Sequence, residues 1–325
     1  MELLGSFPQK PDLRLDTLES VRLDSGWRYK LKYLAESADT TFHFPEDWVY
    51  AYLFVPDHEE GAKLPAIVAI HQDDIYYHIG KDEPAGLQGD STMFYGLDLY
   101  NRGYVVICPD RYYHAERRMF DKIPWDDFTE PDYQRDYNLF ANRVGMLMLR
   151  GMSHYAKEAY DQSIAVDVLY TMNCVNKDRI GAIGHSAGGV AMAHFMFYDT
   201  RVALGVSSCG VYNVKRVFDY ETPVAFPANM SFPNLIKEGY TTNDYVRHIY
   251  PRSLLITRGM YEWGKGDEGS VAFIDEAYDF EKSYKKAGND GDIKIVVFDE
   301  NGGGHIFPKG VKKEVYQWID ERLKR

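Results

Sequence analysis

Residues 178–194 read DRIGAIGHSAGGVAMAH: an apolar run, a knot of small residues, then a second apolar stretch with helical spacing. This order constrains the fold more than any other part of the chain. A strand that turns at once into a helix is the unit from which parallel α/β sheets are wound. The turn also restricts its own residues. A side chain at the apex forces strained dihedrals on the backbone, and residues two positions either side must be small to avoid collision. Gly184 and Gly188 meet that demand around Ser186, and Gly189 lets the following helix approach the sheet. Alone, G-x-S-x-G fits a small-residue turn in a packed core as well as an exposed nucleophile. The rest of the chain has to decide.

The rest alternates. Strand-like runs fall at 28–33, 49–55, 66–71, 104–109, 179–184, 203–207, 253–257 and 294–298. Helical periodicity falls at 92–102, 137–151, 156–171, 187–197, 271–287 and 309–323. The first two strands alternate like an antiparallel pair. The later ones are continuous Val/Ile/Leu runs of the kind buried on both faces. The expectation is one α/β domain over residues 27–325, a mostly parallel sheet with helices on both faces, behind an N-terminal arm at 1–26. Two connections, about 111–136 and 212–250, are long enough to be functional insertions or lids.

With 45% hydrophobic and 26% charged residues, the 325-residue chain has an ordinary globular composition and can bury a sizeable core. The formal charge of −12 excludes nucleic acid as an expected partner, because a phosphate backbone needs clustered Lys and Arg. It gives no reason to expect an anionic membrane either. No apolar run approaches the roughly 20 residues of a membrane span, and the N-terminus turns polar too soon for a signal peptide. A cytoplasmic protein is expected, of undetermined oligomeric state. Cys108, Cys174 and Cys209 show no disulfide or zinc spacing.

A serine nucleophile needs a base, and the base needs an acid to hold its tautomer. Three histidines lie downstream. His194 rides the helix leaving the turn and His248 precedes a strand, whereas His305 follows the last strand in VVFDENGGGHIFP, on a glycine-rich loop that can bring it to Ser186. For the acid, the loop SLLITRGMYEWGKGDEGS offers Glu262, with Asp267 as the alternative. The oxyanion hole needs two backbone N–H groups, expected from Ala187 and from Gln72 after the third strand of the set above. His71 and Trp263 are assigned to the substrate cleft. Carboxylates at Asp73, Asp74, Asp82 and Glu83, with His78, match no metal-ligand spacing, and no metal or cofactor is expected.

Together, His71-Gln72, GKDEPAGLQGD, DLYNRGYVVICPDRYYHAERR, AVDVLYTMNCVNKDRIGAIGHSAGG and GGGHIF resemble the α/β-hydrolases, in the branch of dienelactone hydrolases and acetyl xylan esterases. The resemblance covers about residues 27 to 324. It implies an eight-stranded, mostly parallel sheet and hydrolysis of an ester through an acyl-enzyme. By position it implies Ser186 as nucleophile, His305 as base, Glu262 as acid, and Gln72 with Ala187 as oxyanion donors, and in PDRYYHAERR it implies that Arg117 or Arg118 pins its loop to carboxylates rather than meeting an acidic substrate. Three departures narrow it. Dienelactone hydrolases proper use cysteine where this chain has Ser186, the acid is Glu and not Asp, and Gln72 stands where lipases carry His-Gly-Gly. The expected substrate is a small ester: an acylated sugar, an aryl ester or an alkyl ester fits a cleft rimmed by the aromatics of the insertions. A serine peptidase of the prolyl-peptidase type is the first alternative, and a non-catalytic binding module the second.

Overall fold

Strands with both faces covered need apolar residues at every position, and Leu64–Ile70 (β4) and Val105–Pro109 (β5) are apolar and buried almost throughout. They sit at the centre of a nine-stranded sheet in the computed structural model, which describes residues 5–41, 43–73, 78–118, 127, 129–214, 232–266, 268–288 and 290–325. The other strands are Leu15–Leu23 (β1), Gly26–Glu36 (β2), Asp47–Pro56 (β3), Val175–His185 (β6), Leu204–Ser208 (β7), Ser253–Gly259 (β8) and Ile293–Phe298 (β9). Their spatial order is β1-β2-β3-β5-β4-β6-β7-β8-β9. The first three strands are antiparallel, and β3 joins β5 antiparallel. From β5 through β4 to β9 every pairing is parallel.

Helices cover both faces. Packed with one apolar cluster are Glu130–Leu149 (α2), His154–Tyr170 (α3), Ala187–Tyr198 (α4), Thr242–Arg247 (α5) and Glu268–Lys285 (α6). On the other face lie Tyr95–Tyr100 (α1) and Lys309–Leu323 (α7). Among the described residues no helix is long and apolar enough to cross a membrane.

This is the α/β-hydrolase architecture, with one strand more than the eight expected. Leu15–Leu23 lies within the stretch expected as an arm, and it pairs antiparallel with β2. Its residues LDTLESVRL are almost all exposed, as suits an edge strand whose charges discourage further pairing. Phe7, further upstream, packs against Tyr160 and Tyr198 of the same chain. Helix α2 begins seven residues before its apolar periodicity, because Thr129 and Asp132 form a capping box and Pro131 lies in the first turn. Of the two insertions, residues 119–126, 128 and 215–231 lie outside the described residues.

Parallel winding brings the carboxyl ends of β4, β6, β7, β8 and β9 to one edge of the sheet. Loops at that edge are where a doubly wound fold places its chemistry.

Candidate active site

Ser186 stands at the end of β6 with φ 53° and ψ −125°, a conformation an L-residue adopts only where its surroundings enforce it. Two close approaches supply that enforcement. A Cβ on Gly184 would lie 2.2 Å from the carbonyl oxygen of Gly188, and one on Gly188 would lie 2.3 Å from that of Ile70. The Ser186 N–H donates to the carbonyl of Ser208 at 2.8 Å, tying the turn to β7. The small residues are therefore required by contact and not only by the turn.

Around Ser186 the structure assembles two further residues. The hydroxyl of Ser186 lies 2.8 Å from Nε2 of His305, and Nδ1 of His305 lies 2.9 Å from Oε1 of Glu262. Hydroxyl to imidazole to carboxylate is a continuous proton path. Glu262 is 2% exposed at its side chain and His305 27%, so the imidazole reaches solvent while the carboxylate does not. The acid and base loops are clipped together: Met260 N–H donates to Phe298 at 2.8 Å, and Tyr261 N–H to Gly303 at 2.7 Å. Asp267, the alternative acid, lies outside the described residues. His194 is buried within the helical layer and its Nδ1 lies 2.9 Å from the carbonyl of Val190, so it takes no part.

The backbone amide of Ala187 opens α4, where a helix leaves its first N–H groups unused. No backbone carbonyl among the described residues takes the N–H of Ala187 or that of Gln72. The Gln72 side chain turns aside, donating to Oε1 of Glu83 at 3.2 Å.

His71 does not reach the cleft. It is fully buried, and the expectation of substrate contact is corrected. Its Nε2 accepts the N–H of Arg111 at 2.9 Å, so the proton must sit on Nδ1, which donates to the carbonyl of Gln72 at 2.6 Å. Burial, then the charges of His114 and Arg111, push the ring well below the ordinary histidine value, which keeps this tautomer neutral. His71 thus holds the oxyanion loop from behind. Trp263 is half-buried and lies over the His305 ring, with centroids 5.2 Å apart.

Sequence reasoning missed Arg111. Its guanidinium is buried, gripping both carboxylate oxygens of Glu158 at 3.0 and 3.1 Å and Asp73 at 2.5 Å. It therefore bolts the loop after β4 to α3. Burial pushes the Glu158 carboxyl up, but Arg111 and His154 outweigh it and bring the group down to about 2. Asp73 is held far below the carboxylate range in the same way, by Arg111 and His114 against its burial. Arg117 meets Asp47 at 2.6 Å and Asp161 at 2.8 Å, and Arg118 meets Asp136 at 3.3 Å. Both arginines have the pinning geometry expected of them. Its place two residues after a buried strand signals that Arg111 would need a partner if buried, but not which residues supply it.

Of the carboxylates in the loop after β4, Asp73 is engaged by Arg111 and His114 and Glu83 by Gln72 and the N–H of Asp90, whereas Oδ1 of Asp82 has no hydrogen-bond partner among the described residues and lies 4.0 Å from Lys81 Nζ. Asp74 lies outside the described residues. Among the described residues, Cys209, Glu262 and His305 place one potential metal-ligand atom each within 4.8 Å of one another. Two of these already face each other as proton partners, and burial pushes the Cys209 thiol up, away from the thiolate a metal prefers.

Comparison with known proteins fits this geometry. Residues 148–324, from the end of α2 through α7, match the prolyl oligopeptidase family. YtaP of Bacillus subtilis, provisionally named a hydrolase, is 26% identical over 208 residues, and the match spans 64% of this chain and 60% of the relative. Among solved structures, a Bacteroides fragilis protein provisionally named an acetyl xylan esterase superposes with a TM-score of 0.71 at 16% identity, covering 98% of this chain and 84% of that one. Acetyl xylan esterase 1 of Thermoanaerobacterium sp. gives 0.58 at 16% identity, covering 96% and 88%. A glucuronoyl esterase of Solibacter usitatus gives 0.59 at 13% identity, covering 97% and 88%. At these identities the likeness is one of fold.

Proposed function

The chain belongs to the prolyl oligopeptidase family of hydrolases, and from that premise we propose that it is a serine hydrolase of carboxylic esters, acting through an acyl-enzyme. His305 takes the Ser186 proton as the hydroxyl oxygen attacks the ester carbonyl. Glu262 holds the Nδ1 proton and offsets the charge that develops on the ring. The amides of Ala187 and Gln72 receive the oxyanion. The tetrahedral intermediate collapses, His305 protonates the departing alcohol, and the acyl group stays on Ser186. Water, deprotonated by His305, then releases the acid.

The observation that carries this reading is the unbroken path from Ser186 Oγ to His305 at 2.8 Å and on to Glu262 at 2.9 Å. The esterase names of the fold neighbours support an ester, and a short acyl group on a carbohydrate is the substrate class proposed. The family match favours a second reading, cleavage of a peptide bond. Parallel assays of p-nitrophenyl acetate, an acetylated xylo-oligosaccharide and aminoacyl p-nitroanilides separate the two. Faster turnover of the esters, lost in Ser186→Ala, is expected; faster turnover of the anilides would make the enzyme a peptidase.

A further inference from the structure

The base of this site is held between two rings. Trp263 lies over the imidazole of His305 with centroids 5.2 Å apart and planes inclined by 25°. From the end of β6, His185 meets the same imidazole at 4.9 Å and 54°. Trp263 is itself fixed to α6: its backbone N–H donates to Ser270 Oγ at 3.0 Å, and its ring packs on Phe273 at 5.9 Å.

Three titratable side chains face His305: Glu262 from the acid loop, His185 from β6 and Cys209 from the loop after β7. Burial and the neighbouring His305 push His185 well below the ordinary histidine value, and its Nδ1 lies 2.9 Å from Ser208 Oγ. Burial pushes the Cys209 thiol up. Both therefore stay uncharged near neutral pH. Oε2 of Glu262 has no hydrogen-bond partner among the described residues, so the carboxylate is tied to the ring through Oε1.

In the mechanism proposed above His305 acts as a neutral base, and its positive charge appears as Ser186 gives up its proton. A cation within about 6 Å of an indole centroid is drawn to the ring face by the quadrupole, whereas a neutral imidazole is not. The contact is thus stronger in the transition state than in the ground state, which is the condition for lowering a barrier. We propose that Trp263 is a positioning residue that stabilises the His305 imidazolium, a role resting on the serine-hydrolase reading of the site. This replaces the expectation that Trp263 serves the substrate.

The test compares wild type with Trp263→Leu, which fills space without a quadrupole, and Trp263→Phe, which keeps a weaker one. Two rates are followed against pH: kcat/KM for p-nitrophenyl acetate, and labelling of Ser186 by a fluorophosphonate, which needs the base but no ester substrate. Trp263→Leu is expected to lose roughly twofold to thirtyfold on the plateau of both profiles. Its acid limb should move to lower pH, because an imidazolium without the indole gives up its proton sooner. Trp263→Phe should fall between. If Trp263→Leu does not fold by circular dichroism, the Phe variant carries the same comparison.

A lower plateau with an unmoved limb would reduce Trp263 to packing. A raised KM with kcat and limb unchanged would return it to the substrate. Either result overturns the proposal. If wild type labels with the fluorophosphonate but hydrolyses no ester, the esterase reading falls, and the labelling profiles still judge Trp263. If Ser186 does not label at all, both fall.

Discussion

The two walls of the site are built by opposite means. On one side, the serine turn and the loops carrying Glu262 and His305 are positioned by backbone contact: Gly184 against Gly188, Gly188 against Ile70, Tyr261 N–H on Gly303. On the other, the loop after β4 that carries Gln72 is positioned by a buried guanidinium: Arg111 between the exposed Asp73 and the buried Glu158, with His71 clamped behind. Small residues cost nothing to desolvate, so the first wall can hold the half-buried Ser186 at a strained turn without a network of buried charge. Buried ions are costly to desolvate and become costlier when one partner is lost. On the proposed mechanism the second wall is therefore expected to govern stability, and the first to govern the chemistry.

Substitutions can break that division. Ser186→Ala should lower turnover of p-nitrophenyl acetate by at least about 10⁴-fold, with a melting temperature within ~2 °C of wild type. A large loss of stability there would erase the contrast. Glu262→Gln keeps the shape of the acid and removes its charge, and should cost about 10²- to 10⁴-fold in kcat, again with little change in melting temperature. Arg111→Met works on the opposite wall. It strands the buried Glu158 carboxylate and should lower unfolding stability by ~3–5 kcal/mol in a urea titration. If it abolished turnover while leaving the urea midpoint unchanged, Arg111 would belong to the chemistry and not to the frame.

The smallest effect is the dependence of stability on acid. Glu158 falls from its ordinary 4.5 to about 2 in the folded chain, the net of burial that raises it and of Arg111 and His154 that lower it. A carboxyl depressed by folding contributes stability that is complete above its unfolded value and is lost as pH falls through its folded one. Urea midpoints should therefore decline between about pH 4.5 and pH 2. That decline should be shallower in Arg111→Met, whose Glu158 no longer has its main partner. Equal slopes would show that the acid sensitivity arises elsewhere.

The same division explains what could be read from the sequence. The strand, turn and helix around Ser186 are written in local small-residue spacing. The order of serine, acid and histidine loops follows from chain direction, which a parallel sheet converts into proximity. Glu262 and His305 could be placed on their loops for that reason. Arg111 could not, because burial of a charge depends on partners distant in sequence, Asp73 and Glu158, that no periodicity links. His71 was legible as a loop residue but not as a buried one. Strand β1 was hidden because an edge strand carries its apolar residues sparsely, and the start of α2 because its cap precedes its apolar face. The stacking of Trp263 on His305 joins two loops whose relative height no spacing specifies.

The most direct test of the triad is to trap the acyl-enzyme. Wild-type protein is mixed with excess p-nitrophenyl acetate, quenched in acid within the first turnover and digested for mass spectrometry. One acetyl group on the peptide containing Ser186 is expected, absent from Ser186→Ala and accumulating far more slowly in Glu262→Gln. Ester turnover with no acyl group on Ser186, or with the group on another residue, would contradict the assignment of this serine as the nucleophile.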